Sequence, residues 1–155
     1  MALDATRLET RLREIVAEHG ALEGPLLPIL HAVQVEFGHV PPSGIPVIAD
    51  ELNLSRAEVH GVVSFYHDFR EAPAGRRVLK LCRAEACQSM GGAALEREVQ
   101  ERFGVGWGET NADGVTLEPV YCLGLCAAAP AAMVGERLVG RATAGALSDM
   151  AEDAE

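Results

Sequence analysis

The residues in this sequence that are best suited to chemistry are four cysteines, which form two pairs. Cys82 and Cys87 are separated by four residues in the stretch RRVLKLCRAEACQSMGG, and Cys122 and Cys126 are separated by three residues in YCLGLC. Each pair follows a short apolar run that predicts a strand. Because neighbouring strands of one sheet can bring their ends close together, we expect the four thiols to form one site.

Four thiolates are soft ligands, which favours iron-sulfur or zinc over calcium or magnesium. Structural zinc usually binds tighter pairs with two intervening residues, whereas a [2Fe-2S] cluster offers one iron to each pair. The wider spacing here favours the cluster, with a zinc-stapled interaction module as the alternative. All five histidines precede Cys82, so an all-cysteine centre is a simpler interpretation than a Rieske centre.

The residues around the cysteines could also support a negatively charged centre. The backbone N–H groups of Leu123-Gly124-Leu125 could point at sulfur, because Gly124 allows a close approach of the backbone. Arg83 would add a nearby positive charge, and a helix beginning near Gln88 could direct its N-terminus at the centre. Trp107, in a glycine-rich loop, is interpreted as a packing anchor.

The expected compartment keeps these thiols reduced. The start of the chain, MALDATRLETRLREIV, lacks the apolar segment of a signal peptide, and no apolar run approaches the roughly 20 residues of a membrane span. We therefore expect a cytoplasmic protein with no membrane span. Four cysteines allow three disulfide pairings, but glutathione in the cytoplasm makes metal or redox roles the better interpretation.

The charge of the chain excludes some partners. With 23 acidic and 13 basic residues, the formal net charge is -10. A nucleic-acid-binding protein needs clustered lysine and arginine to displace counterions from phosphates, and an anionic membrane surface makes a similar demand. We therefore expect neither nucleic acid nor membrane lipid as the partner.

Residues 1–72 have helical periodicity and predict four helices. Gly20, Gly38 and Asn53 mark the predicted ends of the first three. Ser43 is predicted to cap the third helix, and Ser55-Arg56-Ala57-Glu58 is a capping-box pattern for the fourth. The apolar positions are, helix by helix, Leu8, Leu12, Ile15 and Val16; Leu26, Leu30, Val33 and Phe37; Ile45, Ile48 and Leu52; Val59, Val62, Val63 and Tyr66.

Residues 76–155 have a different pattern, and the segment EAPAG at 71–75 is the predicted linker. Short apolar runs alternate here with helical periodicity, which predicts a small mixed sheet with helices packed on it. The fold class of the whole chain is therefore α+β. The predicted elements are a strand over Val78–Leu81, a helix from about Gln88 to Phe103, an edge strand over Val115–Tyr121 containing Pro119, a hairpin of Ala132–Val134 and Arg137–Val139 around Gly135-Glu136, and a helix capped by Thr143 and ending near Met150.

At CRAEACQSMGG and YCLGLCAAAPAAMV the sequence resembles the thioredoxin-like [2Fe-2S] ferredoxins, the family of the 24 kDa subunit of respiratory complex I. The resemblance covers nearly the whole chain and implies a four-helix segment followed by a thioredoxin-like α/β domain. It also implies that Cys82, Cys87, Cys122 and Cys126 hold one [2Fe-2S] cluster. The C-x2-C redox pair of thioredoxin is not found among these spacings, so a thiol oxidoreductase is not supported.

Within this family, the segment ACQSMG around Cys87 is most similar to the gamma subunit of NAD-dependent formate dehydrogenase. Complex I and the diaphorase part of NAD-reducing hydrogenases are the alternatives. The resemblance implies a non-catalytic electron-transfer subunit, whose helical residues 1–72 dock on an iron-sulfur subunit that holds FMN and NAD. A formate-oxidising subunit, reached indirectly, would hold the molybdenum or tungsten cofactor. No nucleotide-binding motif occurs in this chain itself.

Overall fold

A computed structural model describes residues 5–153 of the chain. The chain divides into two compact units, one ending at Pro73 and the other beginning at Ala74. Within the described part of the first unit, residues 5–73, the regular elements are all helices, and the second unit contains a four-stranded sheet. Each unit has a hydrophobic core of its own.

Residues 5–73 contain four α-helices, as the periodicity predicted. Their apolar faces meet in one core, in which Leu12, Ile29, Leu30, Val33 and Ile48 are completely buried. The predicted apolar positions within the helices are therefore buried or partly buried, whereas Tyr66, which was predicted for the stripe of α4, follows that helix and is 44% exposed. The helices are α1 (Ala5–His19), α2 (Leu26–Phe37), α3 (Ile45–Leu52) and α4 (Arg56–Phe65), with a 3-10 turn over Pro42–Gly44 before α3.

The ends of these helices follow local backbone chemistry. Gly38 and Asn53 adopt left-handed conformations at the ends of α2 and α3, as predicted. The Ser55 hydroxyl accepts the Glu58 N–H, and the Glu58 carboxylate accepts the Ser55 N–H, which completes the predicted capping box. The prediction for Ser43 was wrong. This residue lies inside the 3-10 turn, and α3 begins after Gly44 without a side-chain cap.

In the second unit the strand order is β2-β1-β3-β4. β1 pairs with β2 in parallel and with β3 antiparallel, so the sheet is mixed and the α+β prediction is confirmed. Pro119 lies in the edge strand β2, where its missing N–H is tolerated. The elements are β1 (Arg77–Cys82), α5 (Glu85–Ser89), α6 (Gly92–Phe103), β2 (Val115–Val120), β3 (Ala132–Val134), β4 (Arg137–Val139) and α7 (Ala144–Asp153).

The single helix predicted from about Gln88 to Phe103 is in fact two helices. Gly91 has a φ of 92°, a left-handed conformation that ends the first helical segment and opens the second. Gly92 is also constrained, because an added Cβ would lie 2.7 Å from the carbonyl oxygen of Cys87. The break separates the short helix α5, which contains Cys87, from the longer helix α6.

α6 and α7 pack on one face of the sheet and bury its apolar side chains. Leu79 and Leu81 of β1 and Leu117 of β2 contribute to this core from the strands. Leu95 and Val99 of α6 cover them, together with Leu147 of α7. The prediction for Thr143 is confirmed, since its hydroxyl accepts the Ala146 N–H at the start of α7. This core fixes β1, which ends at Cys82, and β2, which ends two residues before Cys122.

Among residues 5–153, no helix combines the length and the apolar content that crossing a bilayer would require.

The core of the first unit gives a test of the fold. We predict that Leu12→Ala lowers the free energy of unfolding by about 2–5 kcal/mol, because Leu12 is 0% exposed and its loss leaves a cavity. Leu22→Ala removes the same atoms from a side chain that is 50% exposed and should cost far less. Chemical denaturation followed by circular dichroism compares the two variants. Equal losses would show that Leu12 is not a core residue.

Candidate metal centre

The pairing of β1 with β2 determines where the two cysteine pairs meet. Cys82, the last residue of β1, lies opposite Val120 in the parallel register, and Cys122 follows Val120 by two residues. The Arg83 N–H donates to the Val120 carbonyl at 2.8 Å, and the Cys82 N–H donates to the Ala131 carbonyl at 3.0 Å. Three chain segments therefore converge at one edge of the sheet.

Cys87 and Cys126 lie in helical turns that follow these strands. Cys87 is in the middle of α5 instead of in a loop before a helix, and Cys126 begins a short 3-10 turn that ends at Ala128. The expectation of a helix N-terminus directed at the site from Gln88 was wrong, because α5 begins at Glu85 and includes Cys87 itself.

The loop of the second pair has an unusual backbone. Cys122 has a φ of 90°, which non-glycine residues rarely adopt and which is found most often at functional sites. Gly124 follows with a φ of 76°, and its N–H donates to the Cys122 sulfur at 3.4 Å. The Cys122 and Cys126 sulfurs are 3.8 Å apart. This backbone brings both sulfurs to the same side of the loop.

The two pairs differ in exposure. Cys82 and Cys87 are only 5% and 2% exposed and pack with Ala129 and Ala131. Cys122 and Cys126 are exposed, and all four cysteines are free thiols. The site therefore has a buried side and a solvent-facing side. Four partly buried residues pack against the buried side: Ala84, Val120, Leu123 and Leu125.

Backbone N–H groups stabilise the thiolate of Cys82. Burial alone would raise the pKa of this thiol, but hydrogen bonds from the Ala84 N–H, from the Cys87 thiol and from the N–H groups of Cys122 and Leu123 outweigh burial. The net effect is a pKa below the ordinary value for cysteine. Two of these donors belong to the other cysteine loop, so the two pairs contact each other directly.

Burial and neighbouring thiols raise the pKa values of two further cysteines, Cys87 and Cys126. Burial raises the pKa of Cys87, with further contributions from Cys82 and Cys126, against the lowering effect of the Ala131 N–H. The pKa of Cys126 is raised chiefly by Cys122. Thiolates this close repel one another, and bound metal cations would remove that repulsion. The structure brings all four predicted residues into one interacting group.

The geometry of this group is compatible with a metal centre. Two thiolates on one tetrahedral metal, with bonds of about 2.3 Å, have their sulfurs about 3.8 Å apart. This separation fits either iron or zinc and matches that of Cys122 and Cys126. Within residues 5–153, no three His, Cys, Asp or Glu side chains are placed to ligate one ion. Direct contacts between sulfur groups join Cys82 with Cys87 and Cys122 with Cys126, so the four thiols form two pairs.

A further polar group near the site lacks a partner. Among residues 5–153, the side-chain amide nitrogen of Gln88, next in sequence to Cys87, is buried and has no hydrogen-bond partner. Leaving such a donor unpaired costs free energy, so buried donors are usually satisfied by a protein group, water or ligand. The nitrogen lies at the break between α5 and α6, 2.9 Å from the position that a Cβ on Gly92 would take.

Sequence reasoning singled out the four cysteines as candidate ligands but missed several of their neighbours. The N–H donors of Ala84 and Ala131 carry no signal in the sequence, because the side chain of alanine has no chemistry to suggest a role. Arg83 was expected to add a positive charge near the negatively charged centre. It forms an ion pair with Glu96 and stacks on Trp107, an arrangement that depends on α6 and the following loop.

Comparison with known proteins shows which family the chain resembles. The model of the thioredoxin-like [2Fe-2S] ferredoxin family matches residues 12–155. A subunit of the NADH-quinone oxidoreductase of Mycobacterium tuberculosis is 40% identical over 129 residues, a match that covers 83% of this chain and 51% of that protein. The HndA subunit of the NADP-reducing hydrogenase of Solidesulfovibrio fructosivorans is 35% identical, with 79% of this chain and 72% of that protein covered.

A solved structure shows the same fold. The air-oxidized crystal structure of NAD+-reducing [NiFe]-hydrogenase superposes with a TM-score of 0.62 at 24% identity, over 79% of this chain and 22% of that one. This chain spans about half the length of the mycobacterial relatives that it matches. The family model covers far more than half of the residues here, including all four cysteines. The chain belongs to the thioredoxin-like [2Fe-2S] ferredoxin family.

Proposed function

We propose that this chain is an electron-transfer subunit of an NAD-linked oxidoreductase, with one [2Fe-2S] cluster held by Cys82, Cys87, Cys122 and Cys126. The observation that carries the proposal is the convergence of two thiol pairs at one sheet edge, in a member of a [2Fe-2S] family. A bound cluster would supply one-electron oxidation and reduction. The chain would contribute no catalytic site of its own.

The residues around the thiols would control the charge and the solvent exposure of the centre. The N–H groups of Ala84, Leu123 and Gly124 point at cysteine sulfurs and stabilise negative charge there. The buried pair lies against Ala129 and Ala131, which exclude water from that side. The exposed pair faces solvent, so a redox partner could approach from the side of Cys122 and Cys126.

Exposed apolar residues next to the proposed ligands support a docking surface at the cysteine site. Tyr121 precedes Cys122 and is 56% exposed, and Met90 ends the helix that contains Cys87 and is 62% exposed. Exposed apolar groups beside a functional site often mark a protein contact. We propose that the subunit with FMN, the NAD site and a further iron-sulfur cluster docks here.

The helical unit offers a second apolar surface, and we propose that residues 1–72 also dock on the partner. Six apolar residues line a groove of about 400 Å³, and the neighbouring Phe65 is 72% exposed and stacks edge-on against Tyr66. Grooves of this kind often receive an apolar segment of another protein. The six residues are Leu26, Leu27, Leu52, Leu54, Val62 and Tyr66.

Among the possible complexes, we propose a cytoplasmic NAD-dependent formate dehydrogenase. The support is the segment ACQSMG around Cys87, which resembles the gamma subunit of that enzyme. A molybdenum or tungsten cofactor would then lie in the formate-oxidising subunit. The names of the relatives favour a second candidate, the equivalent subunit of an NADH-quinone oxidoreductase or a hydrogenase.

The ligand assignment predicts the behaviour of single cysteine variants. Cys122→Ser replaces a soft thiolate ligand with a harder hydroxyl group. The iron content should therefore fall, and the visible absorption of the cluster should weaken or shift. Ala127→Ser, which adds a hydroxyl to the same exposed segment without touching a ligand, is the matched control. Unchanged iron and unchanged absorption in Cys122→Ser would refute the assignment. One zinc per chain in a colourless protein would favour the alternative, a zinc-stapled interaction module.

The identity of the complex can be tested by purifying the tagged chain from its natural host. We expect a flavin-containing subunit and a molybdenum- or tungsten-containing subunit to co-purify with it. We also expect the preparation to reduce NAD+ with formate. Mass spectrometry, metal analysis and activity assays on one preparation distinguish the candidates. Activity with hydrogen or quinone in place of formate would refute the formate dehydrogenase assignment and leave the electron-transfer assignment intact.

The docking role of the helical unit predicts a selective loss of assembly. Phe65→Ser should weaken retention of the partner subunit on size exclusion by removing an exposed apolar contact, while the iron content stays unchanged. Val35→Ser is the matched control, because Val35 is 87% exposed and lies outside the groove. Full assembly of the Phe65 variant, or equal weakening by both variants, would contradict this role.

A further inference from the structure

Three side chains near the cysteine edge are joined in one network. One carboxylate oxygen of Glu96 lies 3.2 Å from the Arg83 Nε, and its other oxygen accepts the indole N–H of Trp107 at 2.9 Å. The Arg83 guanidinium also lies over the Trp107 ring, 5.2 Å from its centroid. Both oxygens of Glu96 are thus engaged, and the two groups that it binds contact each other.

This network has more contacts than an ordinary surface ion pair. The Glu96 side chain is only 18% exposed, and each member has two partners within the network. Exposed ion pairs contribute little to stability, because holding two long side chains in one geometry costs conformational entropy and solvent weakens their attraction. Here the hydrogen bond to the indole and the cation–π contact hold that geometry already.

The network holds the segment that follows the first ligand. Arg83 stands between Cys82 and Ala84, and the Ala84 N–H is one of the donors to the Cys82 sulfur. Ala84 is also the residue before α5, and no side-chain hydrogen bond caps that helix. The side chain of Arg83, held by Glu96 of α6 and by Trp107, therefore anchors this segment from outside the cysteine loops.

We propose that Glu96 is a positioning residue that, through Arg83 and Trp107, keeps the Ala84 N–H directed at the Cys82 sulfur and so raises the reduction potential of the centre. The inference rests on the proposed function, because it assumes a [2Fe-2S] cluster at the four cysteines. Reduction adds negative charge to such a centre, and an N–H donor at sulfur stabilises the reduced form more than the oxidised form. Loosening the donor lowers the potential.

The test uses a variant that leaves the net charge unchanged. Arg83→Ala/Glu96→Ala removes one positive and one negative charge together with the network. Arg13→Ala/Glu51→Ala is the matched control, since it removes an ion pair of 3.1 Å from the first unit. The midpoint potential of each full-length protein is measured by redox titration. Trp107, the single tryptophan, reports on the network by its fluorescence independently of any cluster.

We expect the network variant to have a lower midpoint potential than the wild type and a red-shifted tryptophan emission, while the control matches the wild type in both. If the double variant does not retain its cluster, Arg83→Lys is titrated in its place. This variant keeps the charge but loses the planar group that stacks and pairs, so its potential should also fall. An unchanged potential in a cluster-loaded variant whose emission has shifted would overturn the inference and leave the proposed function standing. A wild-type protein without iron and sulfide would overturn both.

Discussion

Parallel pairing of β1 with β2 is the constraint on which the cysteine site depends. The register that places Cys82 opposite Val120 also sets Cys122 just beyond the end of β2, and a shift of this register would separate the two pairs. In parallel strands the carboxyl ends lie at the same edge of the sheet, which is why ligands from distant parts of the sequence can meet there. The buried leucines of β1 and β2, covered by α6 and α7, resist such a shift, because moving a strand by one residue would turn its apolar side chains away from the core.

Concentrating four thiols at this edge creates an electrostatic problem, which the surrounding backbone reduces. N–H groups from both cysteine loops point at the Cys82 sulfur, while the neighbouring thiols and burial oppose ionisation of Cys87 and Cys126. Such an arrangement favours cations at the centre over four free thiolates. The difference in exposure between the pairs has a functional consequence under the proposed role, because only one side of the centre is open to a partner. The helical unit has its own core and an apolar groove on its surface. These features are consistent with the proposed docking role of this unit.

The sequence predicted most of the architecture because its signals were local or periodic. The four helices of the first unit, the capping box at Ser55 and the hairpin at Gly135 all follow from patterns within a few residues. The four cysteines stand out as candidate ligands, since residue type and spacing carry that information. The prediction of Ser43 as a cap failed because this residue lies inside the 3-10 turn Pro42–Gly44. The break between α5 and α6 was missed because the pair Gly91-Gly92 in the sequence does not by itself indicate that Gly91 adopts a left-handed conformation. The donors at Ala84 and Ala131 and the contacts of Glu96 were beyond sequence reasoning, because they arise only when distant segments pack together.

The central claim is that the four cysteines hold one [2Fe-2S] cluster, and electron paramagnetic resonance tests it most directly. The measurement uses anaerobically purified protein before and after reduction with dithionite, with iron and acid-labile sulfide determined on the same sample. The account predicts no signal in the oxidised protein and a rhombic or axial signal on reduction, with about two irons and two sulfides per chain. Silence in both states, with zinc in place of iron, would contradict the account and leave the four thiols as a structural staple.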